Sequence, residues 1–241
     1  MSLIRRTKYS LILLMNRQNA IFQGDSVDMR EIYEEALEHL KETVHTLAEE
    51  AYYSIKKAME VLGNDDLAAA RTIIAHDQEI NAIEHDINDQ VVSLITKQQP
   101  IATDLRVIMA SVKIASELER IADNASSIAK IRTRVKFEDE YILARLKTMG
   151  KLSMLMLVDL ENAYKNKDVS LTKEIIERDA DINDLYKEIV NTTYLIDNDP
   201  FVAGQAQLAG RHLERIGDHI TNIAENVYYF ITGEQFDQYE K

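Results

Sequence analysis

The sequence predicts an all-α protein, two tandem antiparallel three-helix bundles related by internal duplication, and three observations carry that reading. Apolar residues recur at three- and four-residue steps from Met29 almost to the end, and no window alternates with period two between turns. With 7 Gly and 2 Pro in 241 residues, turns are few and regular elements long. The chain also repeats itself. Leu118-Glu119-Arg120-Ile121-Ala122-Asp123 returns, one small residue changed, as Leu213-Glu214-Arg215-Ile216-Gly217-Asp218 at an offset of 95. Ile73-Ile74-x-x-Asp77-x-x-Ile80-Asn81 returns as Ile175-Ile176-x-x-Asp179-x-x-Ile182-Asn183 at an offset of 102, and the smaller offset places a deletion in the second copy between Pro200 and Leu213.

From Met29 the apolar positions Ile32, Leu40, Val44, Leu47, Ala51, Ile55, Met59 and Leu62 trace one face of a first helix, ended by Gly63-Asn64-Asp65. A second helix runs from about Asp66 to Gln98 through Ile73, Ile80, Ile87 and Leu94, and Pro100 stops it. A third runs from about Ile101 to Arg132 through Leu105, Ile108, Val112, Leu118, Ala125 and Ile128. Three more, over about 138–165, 168–196 and 201–231, repeat the plan, with Pro200 at the last junction as Pro100 is at the first. Short loops make neighbouring helices antiparallel. Residues 1–28 form an N-terminal extension, 29–134 the first bundle and 135–241 the second.

The formal charge is −13, and Met1–Gly24 carries four cations and no acid, so the remainder is more acidic still. Phosphate backbones and anionic lipid repel such a body, which argues against nucleic-acid binding. Lack of cysteine excludes disulfides, thiolate zinc sites and cysteine nucleophiles, and fits a reducing cytoplasm. Arg5-Arg6-Thr7-Lys8 before Leu11-Ile12-Leu13-Leu14-Met15 imitates a signal peptide, but the apolar run is short and no small-x-small cleavage site follows. The stretch reads as an extension, or as a start assigned upstream of Met29.

The chemistry-bearing residues are acids on an apolar face. Asp77 has Ile73, Ile74 and Ile80 at −4, −3 and +3, and Asp179 has Ile175, Ile176 and Ile182 at the same offsets. A carboxylate there points at a partner helix, where it is paired, protonated or coordinated. Asn81 and Asn183, one turn on, supply an amide oxygen beside each. On the following helix Glu119 and Asp123, and Glu214 and Asp218, stand four apart on one face, among Ala115 and Ala122 or Gly210 and Gly217. Two readings compete. Arg120 and Arg215 turn the acids into an interhelical salt-bridge network, or the all-oxygen clusters hold a hard divalent cation or iron. Recurrence of both motifs in both halves favours the metal.

Weaker candidates surround these. Glu42-x-x-His45 has di-iron ligand spacing but occurs once, and His45 falls off the apolar stripe. His219 has Asn124 as its counterpart in the first copy and is not counted as a ligand; Asn222 and Glu225 extend the acidic line of the last helix. Met149, Met154 and Met156 read as core or dimer packing. There is no Gly-rich phosphate loop, Gly-x-Ser-x-Gly elbow or nucleophile–base pair, so no enzyme is expected.

The doubled Leu-Glu-Arg-Ile-x-Asp, the doubled Asp-x-x-x-Asn and the junction Gln99-Pro100-Ile101-Ala102-Thr103-Asp104-Leu105-Arg106 resemble the PhoU family of phosphate-uptake regulators over about residues 29–232. The resemblance implies a cytoplasmic, homodimeric accessory protein that damps a high-affinity phosphate ABC importer and phosphate-starvation signalling. Its implied partners are the importer's ATPase subunit and a membrane sensor histidine kinase, with the membrane reached only through them. It also implies multinuclear metal sites (iron, zinc, manganese or magnesium) on Glu119, Asp123, Glu214 and Asp218, with Asp77 and Asp179 opposite. Asn81 and Asn183 stand where the family pattern has Asp, which lowers site charge. The rival readings are a di-metal carboxylate-bundle oxidase or hydrolase and a purely structural scaffold.

Overall fold

A computed structural model gives the structure of the chain and describes residues 29–98, 100, 102–193 and 199–236. The extension expected over residues 1–28 lies outside them. The described residues form six helices: α1 (Met29–Val61), α2 (Leu67–Gln98), α3 (Ala102–Arg132), α4 (Glu140–Asn166), α5 (Val169–Thr193) and α6 (Pro200–Thr232). No strand occurs among the described residues. Backbone contacts divide the chain into a unit ending at His39 and a second from Leu40, which holds the rest of α1 and all of α2–α6.

Aspartates start four of these helices, which is why the junctions need little else to fix them. The side chains of Asp66, Asp139, Asp168 and Asp199 accept from the backbone N–H of Ala69 (2.9 Å), Ile142 (2.8 Å), Leu171 (3.0 Å) and Phe201 (2.9 Å). Each satisfies a first-turn donor that has no partner within its helix. Helix α6 ends on Gly233 at φ 80°, where a side chain would be strained.

The three- and four-residue spacing becomes a continuous core. Leu47 and Ile55 of α1, Ile80 and Ile87 of α2, and Leu118, Ile121 and Ile128 of α3 are fully buried, as are Ile182 and Ile189 of α5 and Leu213, Ile216 and Ile220 of α6. Each such side chain contributes about 1.5–3 kcal/mol. Helices α2 and α3 pair, as do α5 and α6, while α4 lies against both α5 and α6. Gln90 donates to Thr43 Oγ1 (3.1 Å) and His76 pairs with Glu50 (2.8 Å), so α1 from Leu40 onwards runs antiparallel to α2. The two copies meet where α3 packs on α6, and the C-terminal part of α1 meets α4 through Met59 and Gly150.

One expectation is corrected. α6 is unbroken from Pro200 to Thr232, so no deletion lies between Pro200 and Leu213. With Leu118 and Leu213 in register on continuous helices, Pro200 corresponds to Leu105, not to Pro100. The change of offset belongs before α6: α2 and α5 start at corresponding residues, Leu67 and Val169, 102 apart, whereas Leu105 and Pro200 are 95 apart. Proline misled because it begins a helix as readily as it stops one; its missing N–H is unneeded in the first turn. Residues 194–196, expected to end α5, lie outside the described residues.

The α1–α4 seam closes around a glycine. A Cβ on Gly150 would stand 2.5 Å from both Cγ and Sδ of Met59, itself 6% exposed. Gly150→Ala is expected to lower stability by roughly 1–3 kcal/mol despite the better helix propensity of alanine. Met59→Ala is expected to be less harmful in that background than in the wild type. Urea unfolding of the four proteins checks this; additive losses would mean that the two positions do not collide.

Candidate metal centre

Each acidic motif sits where two antiparallel helices face. In the first copy Asp77 and Asn81 of α2 lie opposite Asp123 and Glu119 of α3. Asp77 Oδ1 is fully buried and has no hydrogen-bond partner. With its amide turned to satisfy its neighbours, Asn81 donates through Nδ2 to Glu119 Oε1 (3.2 Å) and to the Asp77 carbonyl (3.3 Å). Asp123 is exposed at the mouth of this patch.

The second copy has the same plan. Asp179 Oδ1 is buried without a partner, as is Glu214 Oε2. Asp179 packs so closely on α6 that a Cβ on Gly217 would lie 2.5 Å from its Oδ1, and Asn183 Nδ2 donates to Asp179 Oδ2 at 2.7 Å. Asp218, like Asp123, is exposed. Both asparagines therefore turn an N–H, not the expected oxygen, towards a carboxylate, because ionised carboxylates only accept.

Repulsion is written into the titration of these groups. Burial, then the charge of Asp123, raises the Asp77 carboxyl above its ordinary value. Burial raises Glu119, with Asp123, Glu84 and Asp77 adding to it against a weaker pull from Arg120. Burial and then Asp218 raise Asp179, and burial and then Asp218 raise Glu214. Among the described residues no three such side chains already form a closed ligand group. The donor set still fits a hard cation: carboxylate oxygens from facing helices, three of them buried and unpartnered, in mutually repelling patches.

The arginines do not supply the alternative as the sequence framed it. Arg120 pairs with Glu117 (3.1 Å) rather than Glu119, and Arg215 makes no ion pair among the described residues. Glu214 Oε1 is instead held by Arg211, one turn earlier, which the sequence reading passed over. It also passed over Glu84, whose charge bears on Glu119 and which sits seven residues after Asp77 on the same face of α2. The residue at Glu84's place in the second copy is Tyr186, and at Arg211's place in the first is Ser116. The first patch thus has one acid more and one arginine fewer.

His219 and Asn222 turn away from the patch, across the α3–α6 seam. His219 Nδ1 pairs with Glu117 Oε2 (2.8 Å), to which Asn222 donates at 3.0 Å. Burial opposes ionisation of Glu117, but these bonds and Arg120 outweigh it and hold the carboxyl below its ordinary value. On the other side of the seam His212 Nδ1 meets Asn124 Oδ1 at 2.9 Å. Burial and Arg215 depress the His212 imidazole, so it bonds as a neutral ring. Of the remaining candidates, exposed His45 pairs with Glu161 (3.3 Å) on α4, and Met149 and Met156 are core.

A duplicated three-helix unit with an acidic patch between its second and third helices defines a class of all-α proteins, and comparison with known proteins places the chain within it. The PhoU domain model matches twice, over residues 44–131 and 146–227, and the chain belongs to the PhoU family. The phosphate-specific transport system accessory protein PhoU homolog of Clostridium acetobutylicum is 36% identical over 214 residues, 86% of this chain and 98% of that protein. The phosphate-specific transport system accessory protein PhoU of Escherichia coli (strain K12) is 30% identical over 83% of this chain and 85% of its own. The crystal structure of the phosphate transport system regulatory protein PhoU from Streptococcus pneumoniae superposes with a TM-score of 0.76 at 30% identity, over 85% of this chain and 99% of that one.

Proposed function

We propose that this chain is a non-enzymatic accessory protein of a phosphate-specific transport system, which lowers uptake by a phosphate ABC importer and restrains phosphate-starvation signalling. In this reading it works in the cytoplasm as a homodimer, contacting the importer's ATPase subunit and, where one is present, a sensor histidine kinase. Family membership and the names of its relatives support the accessory role. No helix among the described residues is long and apolar enough to cross a membrane, in keeping with action through partners.

The observation that carries the metal-binding part is the recurrence, once per copy, of a buried aspartate oxygen without a partner facing a glutamate and an aspartate on the next helix. Asp77, Asn81, Glu119 and Asp123 would hold a cation in the first patch, with Glu84 beside them, and Asp179, Asn183, Glu214 and Asp218 in the second. Bound there, a divalent ion supplies the positive charge that these carboxylates lack and ties α2 to α3, or α5 to α6. Oxygen donors suit magnesium, manganese or iron, with zinc also able to take carboxylates. The asparagines must rotate their amides to offer Oδ1.

Elemental analysis of purified protein tests this. The Glu119→Ala/Asp123→Ala pair and the Glu214→Ala/Asp218→Ala pair are each expected to lower metal content, and all four changes together to abolish it. The more acidic first patch is expected to keep its metal at the lower free concentration. Content unchanged in the quadruple variant rejects the assignment. For the regulatory role, affinity capture from phosphate-replete cells is expected to recover an importer or kinase subunit, and recovery of neither would count decisively against it.

A further inference from the structure

We propose that the cleft between the N-terminal end of α3 and the C-terminal end of α6 docks a short acidic segment of another protein, one with apolar side chains between its carboxylates. The cleft measures about 330 Å³ and is lined by Leu105, Arg106, Met109, Lys113, Asn226 and Tyr229. Leu105, Met109 and Tyr229 are 38%, 47% and 40% exposed, so three large apolar side chains share one piece of surface. Clustering of this kind marks interaction sites, whereas single exposed apolar residues do not. Met109 at its centre can adapt to the shape of what binds.

The charge of the cleft runs against the rest of the molecule. In a chain of net charge −13, neither Arg106 nor Lys113 has a carboxylate partner among the described residues. Arg106 is held in place: its guanidinium lies 6.0 Å from the Tyr229 ring centroid, and a Cβ on Gly233 would stand 3.1 Å from its Nη1. Lys113 is two turns further along α3, about 10 Å away, with Met109 between them. This spacing suits two carboxylates about two helical turns apart with an apolar anchor between, the pattern of an amphipathic segment laid in a groove. The corresponding residues of the second copy are Phe201 and Leu208, so the cations belong to this end only and are no general consequence of the fold.

The occupant follows from the same facts. An extended anionic surface, membrane or nucleic acid, would meet the repulsion of the whole body, while a short acidic segment meets mainly the local cations. Phe236, the last described residue, packs edge-on against Tyr228 with ring centroids 5.4 Å apart. The proposal is independent of the metal patches.

Selection of a displayed library of random twelve-residue peptides on the full chain tests it. Enriched peptides are expected to combine Asp or Glu with Leu, Phe or Trp. They are expected to bind at least tenfold more weakly to Arg106→Glu/Lys113→Glu, to Lys113→Glu alone and to Met109→Glu, and equally to the control Lys151→Glu. Lys113→Glu keeps the test open should a change at Arg106 disturb the α6 cap. No enrichment, or enriched peptides that lack acids or ignore these substitutions, overturns the proposal. So does sedimentation of the wild type but not Arg106→Glu/Lys113→Glu with phosphatidylglycerol vesicles, which assigns the cleft to lipid. Loss of self-association in that variant instead assigns it to a second copy of the chain.

Discussion

Replacing Arg132 with methionine is expected to lower the free energy of unfolding by about 3 kcal/mol, seen as a lower urea midpoint at unchanged slope. Arg132 ends α3 and is 5% exposed, where an arginine is rarely found without partners. Its Nε donates to the carbonyls of Val61 (3.1 Å) and Asn64 (2.9 Å), and Nη2 also reaches the Asn64 carbonyl. These belong to the end of α1 and the turn after it, which has carbonyls without helical partners. Val61 O also accepts from the Asn64 N–H at 3.3 Å, so the larger loss falls on Asn64 O. Methionine fills much of the volume, leaving the lost charge-assisted bonds as the main effect. Arg132→Lys is expected to recover less than half, because an ammonium on one stem does not reproduce the fork. A loss below 1 kcal/mol for methionine would show that the turn is held by something else. Asp65 adds little, being 80% exposed and 3.6 Å from Arg132.

Such a residue is invisible in a sequence read for periodicity, because Arg132 lies at a helix end where a cation is unremarkable. What the sequence did reveal rests on duplication. Asp77 or Asp179 alone on an apolar stripe would be one anomaly; the same acid with the same isoleucines and a following Asn in both copies defines a helix face, and those faces do meet α3 and α6. Glu84 escaped because it has no counterpart in the second copy, where Tyr186 packs on Gly210 instead. The seam escaped for a different reason: helical periodicity says which face is apolar but not which helix covers it. Yet its polar contacts obey the repeat. Glu117 and His212 are equivalent at the offset of 95, as are Asn124 and His219. Glu117 with His219 and His212 with Asn124 are therefore one pseudo-symmetric contact made with two chemistries. Aligning the copies would have paired those positions; knowing that α3 crosses α6 antiparallel was needed to bring them together.

Changing Asp77 and Asp179 to asparagine is expected to stabilise the metal-free chain and at the same time to remove most of the stabilisation that a divalent cation confers. Asp77, Glu119, Asp179 and Glu214 all titrate above their ordinary values, burial first and neighbouring aspartates second. The folded chain thus binds protons at these sites more tightly than the unfolded chain, and their contribution to stability falls as pH rises through the carboxylate range towards neutrality. Glu117 works the other way: its lowered value adds stability above the ordinary glutamate range that is lost as pH falls through the folded value. In chelator, each asparagine is expected to add roughly 1 kcal/mol at pH 7 by removing a buried negative charge that its neighbours repel, and to flatten the acid-ward rise in stability. A cation at a hundred times its dissociation constant would stabilise the wild type by about 2.7 kcal/mol, and the double variant by far less. Thermal unfolding with and without metal, from pH 4 to pH 8, reads both effects. Opposite signs in the two conditions are what distinguish acids arranged for a ligand from acids that merely hold helices together. A double variant less stable than wild type in chelator, with the metal response intact, would leave Asp77 and Asp179 as structural residues.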